Sequence, residues 1–409
     1  MDQNTKTPEV PQTTTSKKRR IVIGLAIALI LGVGIVGGIA YLFTNRQAPA
    51  KNPATQQPAP APETSYSNRA VYGEQTATVT SEERDFPVYK LWLQDENKER
   101  QLLGDFGGTD DYVYLYESLL HSKGERVFLR YDQHVSDVNI ATKKVTTLWT
   151  APAGMTVHTI LESNDGSKLY VSAGTEFVNG NSKQRTVIDE IDLATNKKKT
   201  LFDGPHASVR LMAERSDKKL VTTVITYSEF TKYTVFDITS QAFTTSTDVN
   251  SFAVSRNGLV GAIPADTVIN ACNALSGQSP TSIQLVDPNT KKLGQKITTN
   301  NKSARATVLN DDGSKVLLET RPISKAPSCI HDQQPKPEYL VYSTNDKKLS
   351  PVASKYKGYA MLFPGKPYLD SDMKNKTCYV YLNEDVIATT TCETFAAYTP
   401  VGAVKVVEK

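Results

Sequence analysis

The stretch SNDGSKLYVS at 163–172, followed by IDLATNKKKTLF from Ile191, decides the fold. A polar cluster with Asp-Gly at its centre, leading into a run of apolar and β-branched residues, is a turn feeding a strand. Asp165-Gly166 predicts a two-residue hairpin whose central residues both take positive φ. Related turns recur as SKGERVFLR at 122–130, RSDKKLVTTV at 215–224, SRNGLVGA at 255–262 and NDDGSKVLLE at 310–319. A second class of turn follows each of these, beginning at Val138, Ile191, Phe236, Val286 and Tyr342, with spacings of 53, 45, 50 and 56 residues. Four strands and their turns fill about 40 to 50 residues, the length of a propeller blade.

Two-residue alternation recurs elsewhere, as in Tyr112, Tyr114 and Tyr116 against Val113 and Leu115, and no window keeps a 3.6-residue apolar period for three turns. The pattern predicts an all-β domain over 69–409, a β-propeller of seven blades, or of six if the first unit (69–106) and the last (358–409) share a blade. Ring closure removes unpaired edges, and a short first unit beside the C-terminal strands suits it. Three tandem immunoglobulin-like sandwiches fit the length, but not the period near 50 or the absent Cys-Trp-Cys spacing.

These turns resemble the TolB-like and dipeptidyl-peptidase-type (WD40-like) propeller repeats. Asp165-Gly166-Ser167-Lys168 and Ile191-Asp192-Leu193-Ala194-Thr195 carry the resemblance; the turn at Asp217 lacks the glycine, and a Ser-Pro dipeptide is absent. The resemblance covers nearly all of 69–409 and implies a fold. It does not imply an activity, since propellers host many chemistries and many binding roles, and no α/β-hydrolase domain is expected beside this one.

The 409 residues carry a formal charge of +4, unevenly placed. Residues 1–20 hold +3, residues 44–68 hold +1, and 69–409 hold 40 basic and 40 acidic side chains. Nucleic-acid binding needs a concentrated positive field, which the main domain lacks. From Ile21 to Phe43 run 23 residues without a charge, roughly 35 Å as a helix and enough to span a bilayer. The KKRR block before it predicts an uncleaved signal-anchor: a cytoplasmic basic tail (1–20), one transmembrane helix (21–43), and everything after it outside the plasma membrane. A cleaved signal peptide is the alternative, but the run is too long and Pro49 interrupts the Ala48–Ala50 site. Residues 44–68, with five prolines, read as a disordered Pro/Ala/Gln-rich stalk.

Within the propeller, the long connections 173–186, 264–281 and 320–338 are expected at one end of the ring and the tight turns at the other. Glu176, Arg185, Asn270, Arg321, His331 and Asp332 on these connections are the candidate binding-face residues. No G-x-S-x-G elbow, HExxH helix, phosphate loop or G-x-G-x-x-G is present. No catalytic, metal or cofactor residue is assigned. His121, His134, His158, His206 and His331 are scattered and read as structural. The Tyr112, Tyr114, Tyr116 stripe either packs between blades or forms an aromatic platform.

The expected function is binding: a scaffold or recognition module for an envelope or extracellular protein, peptide or glycan. The alternative is a channel-active hydrolase or lyase using carboxylates and a histidine from different blades. Cys272, Cys329, Cys378 and Cys392 all fall outside the membrane, where disulfides persist. Cys272 and Cys329 occupy equivalent loops of adjacent blades, and Cys378 and Cys392 lie on consecutive strands, so 272–329 and 378–392 are the predicted pairs. Non-reducing peptide mapping tests this: cross-linked peptides joining either of the first two to either of the last two refute it.

Overall fold

The computed structural model describes residues 66–80, 85–95, 100–108, 112–175, 184–224, 231–244, 247–255, 258, 260–263, 282–287, 290, 292–299, 302–322, 336–363, 367–372, 377–382, 385–391 and 398–407. All belong to one compact unit, Thr64–Lys409. The apolar run 21–43 lies outside them, and among the described residues no helix is long and apolar enough to cross a membrane.

The first sheet contains β1 (Tyr66–Thr80), β2 (Asp85–Asp95) and β3 (Gln101–Gly107), completed by the C-terminal β27 (Tyr398–Val407) in the order β27-β1-β2-β3. The second holds β4 (Leu119–Leu120), β5 (Arg126–Arg130), β6 (His134–Asn139) and β7 (Val145–Thr150). The third holds β8 (Met155–Glu162), β9 (Lys168–Thr175), β10 (Arg185–Asp192) and β11 (Lys198–Pro205). An eight-stranded sheet follows: β12 (Val209–Arg215), β13 (Lys219–Val224), β14 (Thr231–Asp237), β15 (Ala242–Phe243), β16 (Thr247–Val254), β17 (Val260–Ile263), β18 (Ser282–Asp287) and β19 (Lys292–Thr298). It is two successive units fused through β16, whose residues 247–249 pair with β14 while 250–254 pair with β17. The fourth strand of one unit thus runs straight into the first strand of the next. Then come a four-stranded sheet, β20 (Lys302–Leu309), β21 (Lys315–Pro322), β22 (Glu338–Ser343) and β23 (Lys348–Val352), and a three-stranded one, β24 (Pro367–Asp372), β25 (Thr377–Leu382) and β26 (Asp385–Thr391). Several four-stranded antiparallel sheets in chain order are consistent with a β-propeller. The closure of the short first unit by the C-terminal strand matches the expectation from the sequence.

Three local features differ from the sequence reading. β1 begins at Tyr66, inside the stretch read as stalk, because Tyr66, Ser67 and Asn68 pair with Val407, Val406 and Lys405 of a strand more than 300 residues away. A helix, Lys355–Leu362, interrupts the strands; Ser354 caps it by accepting from the Lys357 amide, and Leu362 packs on Leu317 and Val341. The Asp165-Gly166 turn is a five-residue connection with only Gly166 at positive φ (+68°). Its Asp165 carboxylate accepts from Ser163 Oγ, Ser167 Oγ and Ser167 N. These hydrogen bonds hold its pKa down at about 2, so this aspartate serves its own turn instead of a left-handed backbone.

Burial explains the stacking. In β5, Val127 and Leu129 join one core with Leu91, Leu103 and Leu115, while Phe128 between them joins another with Met155, Val157 and Trp149. In β9, Leu169 and Val171 face that second core and Tyr170 a third. In β21, Val316 and Leu318 face one core and Leu317 another. Successive side chains of a strand point to opposite faces, so each of these second strands is shared by two cores; the core beyond Leu317 lies between its sheet and the helix 355–362, and the others lie between neighbouring sheets.

At the tight-turn end hydrogen bonds repeat the same linkage. Ser122 gives its N–H and Oγ to Glu162 of the next sheet. Asn164 gives its N–H to Glu214 of the sheet after that, and the same carboxylate accepts from Tyr170 OH at 2.9 Å. Gly166 lies against Ser122, where a Cβ would fall 2.4 Å from the hydroxyl oxygen. Arg215 continues the series to Asp287 at 3.1 Å. Tyr170 is 2% exposed, so Glu214→Ala should cost about 1–3 kcal/mol by leaving its hydroxyl unpaired. Glu214→Gln, which keeps an acceptor, should cost less. Urea denaturation midpoints measure both; equal midpoints for wild type and Glu214→Ala refute the linkage.

Candidate functional site

Strand alternation sends the tight turns to one end of every sheet and the second-to-third connections to the other. The intervals between β9 and β10 (176–184), β17 and β18 (264–281) and β21 and β22 (323–337) are the long ones. Glu176, Asn270, His331 and Asp332 lie outside the described residues, as do Cys272, Cys329, Cys392 and the side chain of Cys378, whose backbone stands opposite Thr390 in β25. Arg185 and Arg321 are described, and each is engaged in its own sheet. Arg185 clasps Asp203 through Nε and Nη2, both at 2.6 Å, and Arg321 holds Glu319 at 2.9 Å. Among the described residues no contact brings the two arginines together.

The same end of the second sheet gathers a cluster that the sequence reading only touched. Val113 makes a single bridge with Tyr131, and Leu115–Glu117 form a 3-10 turn in place of the expected strand. Ser118 closes this turn by donating to Tyr114 O and accepting from Arg130 N, both at 3.0 Å. The alternation nevertheless survives: Val113 and Leu115 are buried, and Tyr116 is 64% exposed. The three tyrosine rings pack in series, Tyr112 with Tyr114 at 4.6 Å and Tyr114 edge-on to Tyr116 at 5.9 Å.

Arg130 is the centre of this cluster. It ends β5 with its guanidinium carbon 3.8 Å from the Tyr114 ring centroid, and both Nε and Nη2 donate to Val157 O of the third sheet. Its Nη1 lies 2.5 Å from Glu117 Oε2, while Glu117 Oε1 lies 3.4 Å from Arg210 Nη1. Tyr114 OH donates to Asp132 Oδ1 at 2.8 Å. Burial, then the Asp132 bond, raises the Tyr114 pKa, and burial followed by the Glu117 charge raises that of Tyr116. A buried arginine is tolerable only when paired. Glu117 answers Arg130 with one oxygen and the half-exposed Arg210 with the other.

His158 is the extra residue of a β-bulge in β8, between the paired Val157 and Thr159. Met212 in β12, Phe252 in β16, Thr307 in β20 and Val401 in β27 hold the same place in the first strands of other sheets. All of these but β16 are edge strands of their sheets, and at an edge a bulge re-aims one residue while spoiling the edge for pairing. Gly174 opposes this region: a Cβ there would lie 2.9 Å from His158 Nε2 and 2.3 Å from Ser208 Oγ. Among the described residues the buried His158 Nε2 has no hydrogen-bond partner. Burial first, then Arg130 and Arg210, lower its pKa from 6.5 to about 4.

The remaining described histidines do structural work. His121 reaches Gly166 O at 3.1 Å, His134 stacks on Tyr131 and His206 on Phe243. Among the described residues no group of three or more His, Cys, Asp or Glu side chains is placed to hold a metal ion. Sequence reasoning does not single out Glu117, Arg130 or Arg210, and it reads His158 as structural. The available signal was slight: Arg130 is a charge closing the apolar run Val127-Phe128-Leu129.

Because His158 is neutral in the fold at a pH where the unfolded chain protonates it, the unfolded state binds more protons between pH about 6.5 and about 4. Stability should therefore fall as pH drops through that window, by on the order of 3 kcal/mol, and be unaffected above it. His158→Asn should flatten this part of the stability–pH curve, and the His158 proton resonance should titrate near 4. A titration midpoint at 6.5 refutes the burial argument.

No protein-family model and no curated protein matches the chain. Among solved structures it is similar to an oligogalacturonate lyase in complex with manganese (10% identity, 83% of this chain and 91% of that chain, TM-score 0.47). It is also similar to TolB from Acinetobacter baumannii (12% identity, 83% of each chain, TM-score 0.37). A third is a Mycobacterium tuberculosis puromycin-hydrolyzing peptidase (11% identity, 76% of this chain and 48% of that chain, TM-score 0.43).

Proposed function

We propose that this chain is a membrane-tethered, extracytoplasmic seven-bladed β-propeller that acts by binding, with the long-connection end as its working surface and an envelope protein, peptide or glycan as its partner. The tether is the apolar run 21–43, oriented by the basic block before it. Dividing the eight-stranded sheet at β16 and crediting β27 to the first sheet supports a count of seven blades. The observation that carries the binding reading is the state of the cluster. Its acids are occupied, Glu117 by two arginines and Asp132 by Tyr114, while the exposed ring of Tyr116 and the half-exposed Arg210 remain turned to solvent. An aromatic face beside a cation recognises carbonyl- or carboxylate-bearing groups without needing a proton donor.

One observation favours a channel-active enzyme instead: His158, neutral and with Nε2 unbonded among the described residues, is in the state of a general base. A comparison of two variants separates the readings. The full chain is isolated from its own membranes with bound partners, as wild type, as Tyr116→Ala/Arg210→Glu and as His158→Gln. Binding predicts that the double variant loses the partner by about tenfold or more, the effect of about 1.4 kcal/mol, and that His158→Gln keeps it. Undiminished recovery with the double variant refutes the reading, and partner turnover abolished by His158→Gln supports the enzyme.

A further inference from the structure

The cluster at the end of β5 has its acceptors filled and its donors open. Glu117 faces Arg130 with one oxygen and Arg210 with the other, and Asp132 accepts from Tyr114 OH. The neighbouring carbonyls are filled too. Val157 O accepts from Arg130, Tyr112 O from the Asp132 amide, Tyr114 O from Glu117 N and Ser118 Oγ, and Leu115 O from Ser118 N. Among the described residues no hydrogen bond engages the hydroxyls of Tyr112 and Tyr116, and Arg210, its side chain 50% exposed, meets Glu117 through Nη1. Each of these three side chains can donate. Charge is balanced as well, with the carboxylates of Glu117 and Asp132 against the guanidinium groups of Arg130 and Arg210.

These conditions select the chemistry of a ligand. It has to offer neutral acceptors, and it cannot bring many donors, because a donor desolvated without an acceptor opposes binding. A sugar brings several hydroxyl donors, and a peptide of ordinary composition brings an N–H at nearly every residue. Proline has no N–H, so a proline-rich run keeps its carbonyls as acceptors, holds an extended helix before it binds and presents apolar rings. Such segments dock on aromatic side chains. Those are supplied here in series: Tyr112 and Tyr114 lie 4.6 Å apart and Tyr114 and Tyr116 5.9 Å apart, centroid to centroid. Tyr114 is held by Asp132 and by the Arg130 guanidinium at 3.8 Å, while Tyr116 stays 64% exposed.

We propose that the Tyr112, Tyr114, Tyr116 series with Arg210 is a recognition site for a proline-rich segment of a partner protein, with proline rings packed on the tyrosines and Arg210 donating to a backbone carbonyl of the segment. This rests on the binding reading above and narrows its partner from protein, peptide or glycan to a proline-rich chain. The source is a partner because β1 begins at the opposite end of the sheets, where Arg69 donates Nη1 to Gly124 O of the tight turn between β4 and β5. The chain's own prolines at 49–62 join the domain at that end.

The test titrates the full chain in neutral detergent micelles with decaproline, acetylated and amidated so that it carries no charge, and reads the heat of binding. Saturable binding is expected, unchanged within about twofold between about 0.05 M and about 0.5 M salt because both surfaces are neutral. Tyr116→Ala should weaken it about tenfold or more and Arg210→Met at least about threefold, while Tyr116→Phe, which keeps the ring, should retain most of it. A Gly-Ser peptide of the same length, flexible and carrying an N–H at every residue, should not bind. No binding of decaproline, or binding that Tyr116→Ala leaves intact, overturns the proposal. Decaproline that binds only after Pro49, Pro53, Pro58, Pro60 and Pro62 are replaced by alanine assigns the site to the chain's own segment and overturns the partner. In the recovery experiment above, decaproline should release the partner. Release by chitotetraose or cellotetraose in its place, with recovery still dependent on Tyr116 and Arg210, assigns the site to a glycan; it overturns the proline proposal and leaves the binding reading standing. Recovery indifferent to both residues overturns the binding reading and this proposal with it.

Discussion

The constraint on which this structure depends is that its second strands are buried on both faces. Val127 and Leu129 belong to one core and Phe128 to the next; Leu169 and Val171 to one and Tyr170 to another. A sheet built on such a strand cannot stand alone, because either face would expose a contiguous apolar patch. Each sheet needs cover on both faces, from a neighbouring sheet or, over Leu317 and Val341, from the helix 355–362. β27 supplies what the first sheet lacks by pairing with β1 from Tyr66 to Glu74. The cost of closing so long a loop grows only slowly with length, and it is offset once for the whole set of cores.

The two ends of the sheets divide the work. At the tight-turn end, Ser122, Glu162, Asn164, Glu214, Arg215 and Asp287 link sheet to sheet through short connections whose polar groups are occupied. At the other end the connections are long, and the buried Arg130 lies there. It sits in a site made by two sheets, with Glu117 beside it, Val157 O beneath it and Tyr114 over it. Such a group contributes little net stability, but it fixes the side chains around it. Rigid support at one end and chemical variety at the other is the arrangement in which surface loops carry recognition.

The repeat was legible because hairpin turns and strands are local: Asp165-Gly166 before Leu169-Tyr170-Val171 declares itself within ten residues. The closure by a C-terminal strand was legible from the shortness of the first unit. What failed were details that tertiary contacts decide. Tyr112 to Tyr116 alternates like a strand, yet Ser118 and Arg130 close it into a 3-10 turn with the same side-chain alternation. Asp165 was read as a backbone residue of a primed turn and proves to be an acceptor for Ser163 and Ser167. The helix 355–362 has too few turns for periodicity to show. Tyr66 to Asn68 look like linker because their partners are at 405–407.

By itself, then, the sequence determined the strand-and-turn repeat, the neutral charge of the main domain, the separation of tight turns from long connections and the apolar run before them. All of these are properties of near neighbours along the chain. Only the tertiary structure decided that Glu117, Arg130, His158 and Arg210 converge, that Asp189 takes the indole N–H of Trp149 at 2.7 Å, and at which end β1 begins. The physical reason is that these are encounters between sheets, separated by tens of residues in sequence. Which side chains meet there is set by strand register and by the single extra residue in each bulged strand, quantities that no local pattern encodes.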